Sequence, residues 1–215
     1  MKKLLKITSQ IWLFICSLIA SRACIYYIFG LHEKDPRIPK WYGKHVLDYE
    51  GIPITGNVHA VAGILLITSF LLQIFSSRSN KFKEFHIING HFATFISIVL
   101  VISGVIIGYK IPFGGLLETY TSIFFAVIYL IFIFHSFISG KKGELNKHRE
   151  FVTRSIFLAL SIGTLRIGIT IFKNTKLLTY PDLFNLLMIS SIIIHLLWAE
   201  FIIKKEINIF EFKLN

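Results

Sequence analysis

Six apolar stretches alternate with short polar ones along the chain. They cover roughly residues 8–29, 57–77, 88–109, 121–140, 150–172 and 183–203. Each has about 20 residues, enough for a helix to cross a hydrocarbon core of about 30 Å. Backbone groups in lipid must be paired within their own segment, so each stretch is predicted to be helical. The pattern predicts an all-α bundle of six transmembrane helices that forms one integral membrane domain over residues 1–215.

Composition supports the same class, because 54% of the 215 residues are hydrophobic and 21 are Phe. The net charge is +11. Lysine and arginine are concentrated in the N-terminus, the second and fourth loops and the tail: Lys2, Lys3, Lys6, Arg78, Lys81, Lys83, Lys141, Lys142, Lys147, Arg149, Lys204 and Lys205. These segments share one side of a six-span protein, so both termini are predicted to be cytoplasmic. The charge is therefore mostly the orientation signal of a multi-pass membrane protein, which contacts lipid and not nucleic acid.

The first apolar stretch is expected to remain as a helix and not to be cleaved as a signal peptide. It is longer than a typical signal core, and its end offers a poor cleavage site. Cys16 and Cys24 lie about 12 Å apart along this helix, too far to form a disulfide within it. The long loop over residues 31–55, rich in proline and aromatic residues, is predicted to be an ordered flap on the outer face.

Two successive spans open with the pattern His-x-x-x-Gly, at His59–Gly63 and His86–Gly90. The helix directions place His59 near the outer face and His86 near the inner face, about 27 Å apart. A glycine one turn after a histidine lies on the same helix face. It lets either a neighbouring helix or a flat cofactor approach closely. The motifs thus indicate two separate sites, with tight helix packing as the alternative.

Arginines inside spans extend the outer site. A mid-membrane arginine is costly and should face a partner inside the bundle. Arg22, Arg166 and His59 all fall in the outer half, where they could surround an anion, a carboxylate-bearing cofactor or a quinone oxygen. Snorkelling of the two arginines is the alternative. In the fifth span His148, Ser155 and Arg166 are offset by seven and eleven residues, so they form one stripe.

The inner half is rich in histidine: His86, His91, His135, His148 and His195. By residue count, His135 and His195 lie at similar depth. Neutral histidines at one depth on facing helices suit haem ligation, with arginines for the propionates. His135, His195 and His91 are therefore candidate ligands of a haem b. Interfacial histidines hydrogen-bonded to backbone or headgroups are the alternative.

Together these motifs resemble a bacterial family of predicted membrane proteins, domain of unknown function 2306. The resemblance covers roughly residues 55–203 and is most specific in HREFVTRSIFLALSIGTLRI. The positions that carry it are His59, Gly63, Phe85, His86, Gly90, His148, Arg149, Arg154, Ser155, Arg166 and Glu200. The resemblance implies a multi-pass protein of a bacterial inner membrane. The family has no established activity, so the resemblance implies where sites lie and supplies no reaction.

Two classes of function fit these features. One is a transmembrane electron carrier, similar in layout to cytochrome b561-type and ferric-reductase-type bundles, with a haem b and a quinone or other redox partner. An outer bis-histidine haem would need His32 or His45 from the long loop as a partner for His59. The other is a small non-redox transporter, sensor or assembly factor with an anion or proton site. The motifs of soluble metalloproteases, thiol-redox proteins and nucleotide-binding proteins are missing from the sequence. The sequence does not predict an oligomeric state.

Overall fold

The computed structural model describes residues 1–29, 53–77, 79–172, 175 and 178–210. Six long helices account for most of these residues. They run over Lys2–Ile28 (α1), Pro53–Ser76 (α2), Lys83–Lys110 (α3), Leu116–Lys141 (α4), Leu145–Phe172 (α5) and Tyr180–Lys204 (α6). All six are long and apolar enough to cross a membrane. The predicted all-α class with six candidate spans is therefore confirmed.

The helices extend beyond the apolar stretches, because a stretch marks only the part that lies in hydrocarbon. α2 begins at Pro53, within the predicted outer loop over residues 31–55. Proline suits the first position of a helix, where its missing N–H would have no partner anyway. The rest of that loop, with His32 and His45, lies outside the described residues, as does Arg78 of the second loop.

α5 lies at the centre of the bundle and packs against α1, α4 and α6. α2 packs between α1 and α3, and α3 also packs against α4. Gly163 of α5 allows α1 to cross at close range, since a Cβ there would lie only 2.6 Å from the Cα of Cys16. Most side chains of α5 from Thr153 to Leu165 are buried, whereas the other helices expose many large apolar side chains. Such exposure suits a surface that faces lipid.

Successive helices are antiparallel, so the bundle has two distinct ends. The starts of α1, α3 and α5 share one end with the last turns of α2, α4 and α6. We name this the basic end, because its described residues include Lys2, Lys83, Lys142 and Lys204. The other is the opposite end. Gln10 donates a 2.6 Å hydrogen bond to the Ile209 carbonyl, which shows that α1 and the segment after α6 meet at the basic end.

Candidate functional site

The opposite end contains His59 of α2. Its Nδ1 lies 3.2 Å from the Leu100 carbonyl oxygen and 3.1 Å from the Ser103 hydroxyl of α3. A carbonyl oxygen can only accept, so Nδ1 carries the hydrogen and the neutral ring keeps its lone pair on Nε2. α3 thus fixes one edge of the imidazole and leaves the other edge for a proton or a ligand.

Two ionisable side chains from other helices lie at the same end of the bundle as His59. Glu118 of α4 is only 7% exposed, and its Oε2 accepts the Gly114 N–H at 2.7 Å. Arg166 of α5 lies close enough for its charge to act on both His59 and Glu118. The Arg166 charge also acts on Cys24 of α1. The opposite end therefore brings together an acid, a base and a guanidinium from three different helices.

A hydroxyl pair lies between the two ends. The hydroxyls of Ser97 on α3 and Tyr129 on α4 are 2.9 Å apart, and both residues are buried. Along α3, Ser97 lies about 9 Å from the level of Ser103 and about 16 Å from that of His86. The interior of the bundle is thus polar at its middle as well as at both ends.

A tight hairpin between α4 and α5 places His148 at the basic end. Gly143 has a φ of +73°, a conformation that glycine adopts without strain. This turn lets the Glu144 N–H bond the Ser139 carbonyl at 2.9 Å and reverses the chain within a few residues. The nearby Lys147 ammonium, 3.0 Å from Glu144, holds the pKa of that carboxyl below its usual value by hydrogen bonding and by its charge. His148 follows one helical turn later, with its Nδ1 2.8 Å from the Ser136 carbonyl oxygen of α4.

The turn between α2 and α3 places His86 beside His148. The rings of Phe75 and Phe82 pack 5.4 Å apart across this turn, and His86 Nδ1 reaches the Ser76 hydroxyl at 3.0 Å. The His86 and His148 ring centres are 6.5 Å apart, with the ring planes close to perpendicular. The structure therefore brings two of the predicted site residues into contact across the basic end.

Gln73 of α2 adds a polar atom near this pair. Its side-chain Nε2 donates to the His86 carbonyl oxygen at 2.8 Å. Its Oε1 is buried and has no hydrogen-bond partner among the described residues. A buried acceptor without a donor is uncommon and costs stability, so it indicates a position where a donor is expected.

The glycines of the two motifs do not lie against the histidines of the same motifs. A Cβ at Gly63 would meet Cys24 Sγ at 3.2 Å, and one at Gly90 would meet Gln73 Nε2 at 3.1 Å. Glycines of neighbouring helices lie against the imidazoles instead. A Cβ at Gly104 would be 3.1 Å from the His59 ring, and one at Gly140 would be 3.0 Å from the His148 ring.

The three histidines predicted as haem ligands are not brought together. His91 and His135 are exposed, and each Nδ1 bonds the carbonyl four residues earlier in its own helix, at 2.8 Å. His195 is 1% exposed, with Nδ1 2.8 Å from the Phe157 carbonyl oxygen. Its Nε2 contacts the Thr164 hydroxyl at 2.7 Å and accepts the indole N–H of Trp12 at 3.2 Å. Both nitrogens of His195 are therefore used in holding α6 to α1 and α5.

The remaining predicted residues lie in several environments. Arg22 is exposed and stacks on the Tyr26 ring of its own helix, 4.7 Å from the ring centre. Arg154 forms a two-point ion pair with Glu200 of α6, at 2.5 and 3.0 Å. Arg149 is exposed. Ser155 is buried and donates to the Phe151 carbonyl of its own helix at 2.7 Å. Arg154 thus joins α5 to α6, and Ser155 is satisfied within α5.

Three residues of these sites were not predicted from the sequence: Glu118, Gln73 and Tyr129. Glu118 had the clearest signal, as an acidic residue that follows two glycines and opens an apolar stretch. Gln73 and Tyr129 lie inside apolar stretches. Spacing alone does not reveal which of their neighbours are polar.

Comparison with known proteins gives one match. A family model described as "Predicted membrane protein (DUF2306)" matches residues 56–203, more than half of the chain. The match begins within α2 and ends within α6, so it includes His59, Glu118, Arg166, His86 and His148. No curated protein and no solved structure matches the chain.

Proposed function

Since the chain belongs to the DUF2306 family of predicted membrane proteins, we propose that it moves protons across its membrane through polar groups inside the bundle. One observation carries this proposal. The acid–base group of His59, Glu118 and Arg166 lies at the opposite end, and the His86–His148 pair lies at the basic end. Ionisable side chains inside a membrane protein are expensive and typically serve ion or proton movement.

The chemistry of these groups suits proton exchange. Histidine changes its charge close to physiological pH, and a carboxylate can pass a proton to it or accept one from it. The Arg166 charge acts on both His59 and Glu118, and it limits how many further positive charges the opposite end can hold. In the proposed path a proton enters at His59 and is then held by Glu118, before His59 accepts the next proton.

The path between the ends uses the Ser97–Tyr129 hydroxyl pair. A hydroxyl both donates and accepts, so it can pass a proton along a hydrogen-bonded chain. The gaps of about 9 Å and about 16 Å along α3 are longer than one hydrogen bond, so water must bridge them. The proposed path is therefore a water-filled file through the interior.

Orientation and location complete the proposal. Because lysines are concentrated at the basic end, we place that end and both termini in the cytoplasm of a bacterium, with the bundle in the inner membrane. The chain then acts as one membrane domain over residues 1–215. Glu118 and His59 face the outside of the cell, and His86 and His148 face the cytoplasm.

The test is proton flux in reconstituted vesicles. Purified protein is incorporated into liposomes that contain a pH-sensitive dye, and a potassium diffusion potential drives protons inward. We expect faster acidification than in protein-free liposomes. Glu118→Gln and His59→Gln should each reduce the rate at least about tenfold, since each removes a proton acceptor from the path. His91→Gln is the matched control, because His91 is exposed and bonded to its own helix.

Two results would contradict the proposal. Flux through the unmodified protein could equal the leak of protein-free liposomes. Alternatively, Glu118→Gln could conduct at the unmodified rate while its melting curve shows that it is folded.

A second candidate function, electron transfer through a haem b with a quinone or other redox partner, is favoured by one observation. The ring centres of His86 and His148 lie 6.5 Å apart at the basic end. The three histidines predicted as haem ligands, His91, His135 and His195, lie in separate environments and cannot bind one haem together. An absorption spectrum of the purified protein tests this candidate, because haem b gives a Soret band and a protein without haem gives none.

A further inference from the structure

We infer that His86 and His148 together bind a transition-metal centre at the basic end. The inference concerns the same two histidines as the proposed proton path, but its evidence is separate, namely the ligand chemistry of the two rings and their geometry. It specifies the class of ligand as a metal that prefers imidazole nitrogen, either as an inorganic ion or as the iron of a haem.

The hydrogen bonds of the two rings use Nδ1 of each and so leave Nε2 of each to bind a metal. The Ser136 carbonyl can only accept, so His148 Nδ1 carries its hydrogen. At His86, the Ser76 hydroxyl lies 3.2 Å from the backbone carbonyl oxygen of Gln73, which can only accept. When the hydroxyl hydrogen points to that carbonyl, the Ser76 oxygen accepts the hydrogen of His86 Nδ1. Both neutral rings then have their lone pairs on Nε2.

This arrangement is typical of histidines that bind metals. A metal-bound histidine usually donates its other N–H to a carbonyl, hydroxyl or carboxylate, which fixes the ring and its tautomer. Here each ring is anchored from a neighbouring helix, by Ser76 of α2 or by Ser136 of α4. The other histidines differ. Both nitrogens of His195 are hydrogen-bonded, and His91 and His135 are exposed and anchored only to their own helices.

The separation of the rings also fits a shared metal. Metal–nitrogen bonds of about 2.0 Å put two opposed ligand nitrogens about 4 Å apart and their ring centres roughly 6 Å apart. The observed distance between ring centres is 6.5 Å. The ring centres therefore lie at about the separation that one shared metal requires.

The remaining coordination positions are not filled by charged side chains. No group of three or more histidine, cysteine or acidic residues within the described part of the chain could hold a metal. The other ligands must therefore be water, a small anion or a macrocycle. The buried Gln73 Oε1 can accept a hydrogen bond from such a water. The lysines of this end are exposed to solvent, where salt screens their repulsion of a cation.

The experiment begins with the protein as purified, carrying no histidine tag. Its metal content is measured by mass spectrometry and its spectrum is recorded for a Soret band. Protein stripped of inorganic metal is then titrated with Cu²⁺, which binds nitrogen sites most tightly among the divalent first-row metals. We expect one Cu²⁺ per chain, with electron paramagnetic resonance showing coupling to imidazole nitrogens.

Substitutions distinguish the two proposed metal ligands from other histidines and from the side chain that anchors one of them. His86→Gln and His148→Gln should lose the nitrogen coupling and bind Cu²⁺ at least about 100-fold more weakly, while His91→Gln and His135→Gln should titrate as the unmodified protein does. Ser76→Ala keeps both ligands and removes one anchor, so it should weaken binding about 10- to 100-fold. If a glutamine variant fails to fold, the Ser76→Ala result still tests the site.

Each outcome decides the question. A Soret band that His86→Gln and His148→Gln abolish supports the inference and identifies haem iron. Metal bound without a Soret band, and lost in the same two variants, supports it and identifies an inorganic ion. The inference is overturned if the protein takes up neither, or if folded His86→Gln and His148→Gln variants bind Cu²⁺ as the unmodified protein does.

Discussion

Adding a single methyl group at Gly163 tests how closely α1 crosses the central helix. Gly163→Ala places a Cβ 2.6 Å from the Cα and 2.7 Å from the carbonyl oxygen of Cys16. Both are backbone atoms, so no side-chain rotation relieves the contact. Carbon atoms normally approach to about 3.5–4.0 Å, and α1 must therefore retreat by about 1 Å.

Gly168→Ala in the same helix provides the matched comparison. A Cβ there would meet Leu187 Cδ2 at 2.8 Å, which is the end of a flexible side chain that can rotate away. Both substitutions gain the same helix propensity, about 1 kcal/mol, so their difference isolates the crowding of α1. Overpacking of this kind costs about 1–3 kcal/mol. For a chain of this size that corresponds to a melting temperature roughly 2–12 °C lower for Gly163→Ala than for Gly168→Ala.

The assay is thermal unfolding in detergent, combined with thiol labelling in a Cys24→Ser background. Cys16 is fully buried, so we expect slow labelling in the parent and in Gly168→Ala. Labelling should be faster in Gly163→Ala, where α1 has moved. If Gly163→Ala melts at or above the temperature of Gly168→Ala and Cys16 remains protected, the close crossing of α1 and α5 is wrong.

Two further predictions concern topology and the buried histidine. The proposed orientation puts both termini in the cytoplasm. A Lys142→Cys substitution in a chain lacking Cys16 and Cys24 should then react with an impermeant thiol reagent only after cells are permeabilised. Labelling in intact cells would reverse the proposed orientation. His195→Leu should lower the free energy of unfolding by about 2 kcal/mol or more, since it leaves buried partners of both ring nitrogens unpaired. His135 is exposed, so His135→Leu should change that free energy little. Equal melting curves for the two variants would contradict the hydrogen bonds assigned to His195.

The number and approximate positions of the helices could be predicted because lipid permits few alternatives. Any apolar stretch of about 20 residues without internal charge must pair its own backbone groups, so it forms a helix whatever its neighbours are. Helix ends were less predictable. Pro53 begins α2 four residues before the apolar stretch at 57–77, because a helix can continue into the headgroup region without needing apolar side chains.

The contacts between helices could not be predicted, because spacing shows which residues share a face and not what that face meets. His59 and Gly63 are one turn apart, yet the glycine against the His59 ring is Gly104 of α3. His135 and His195 fall at similar depth by residue count, but one is exposed and the other fully buried. Those differences depend on the rotation of each helix about its axis, which packing decides.

The central claim is that the groups at the two ends belong to one proton path, and a double substitution tests it most directly. Glu118→Gln and His148→Gln are compared singly and together in the vesicle assay. Steps in series share one rate limit, so we predict that the double variant conducts at the rate of the slower single variant and that the effects do not add. If the two reductions multiply instead, the groups act independently and the single path through the bundle is contradicted.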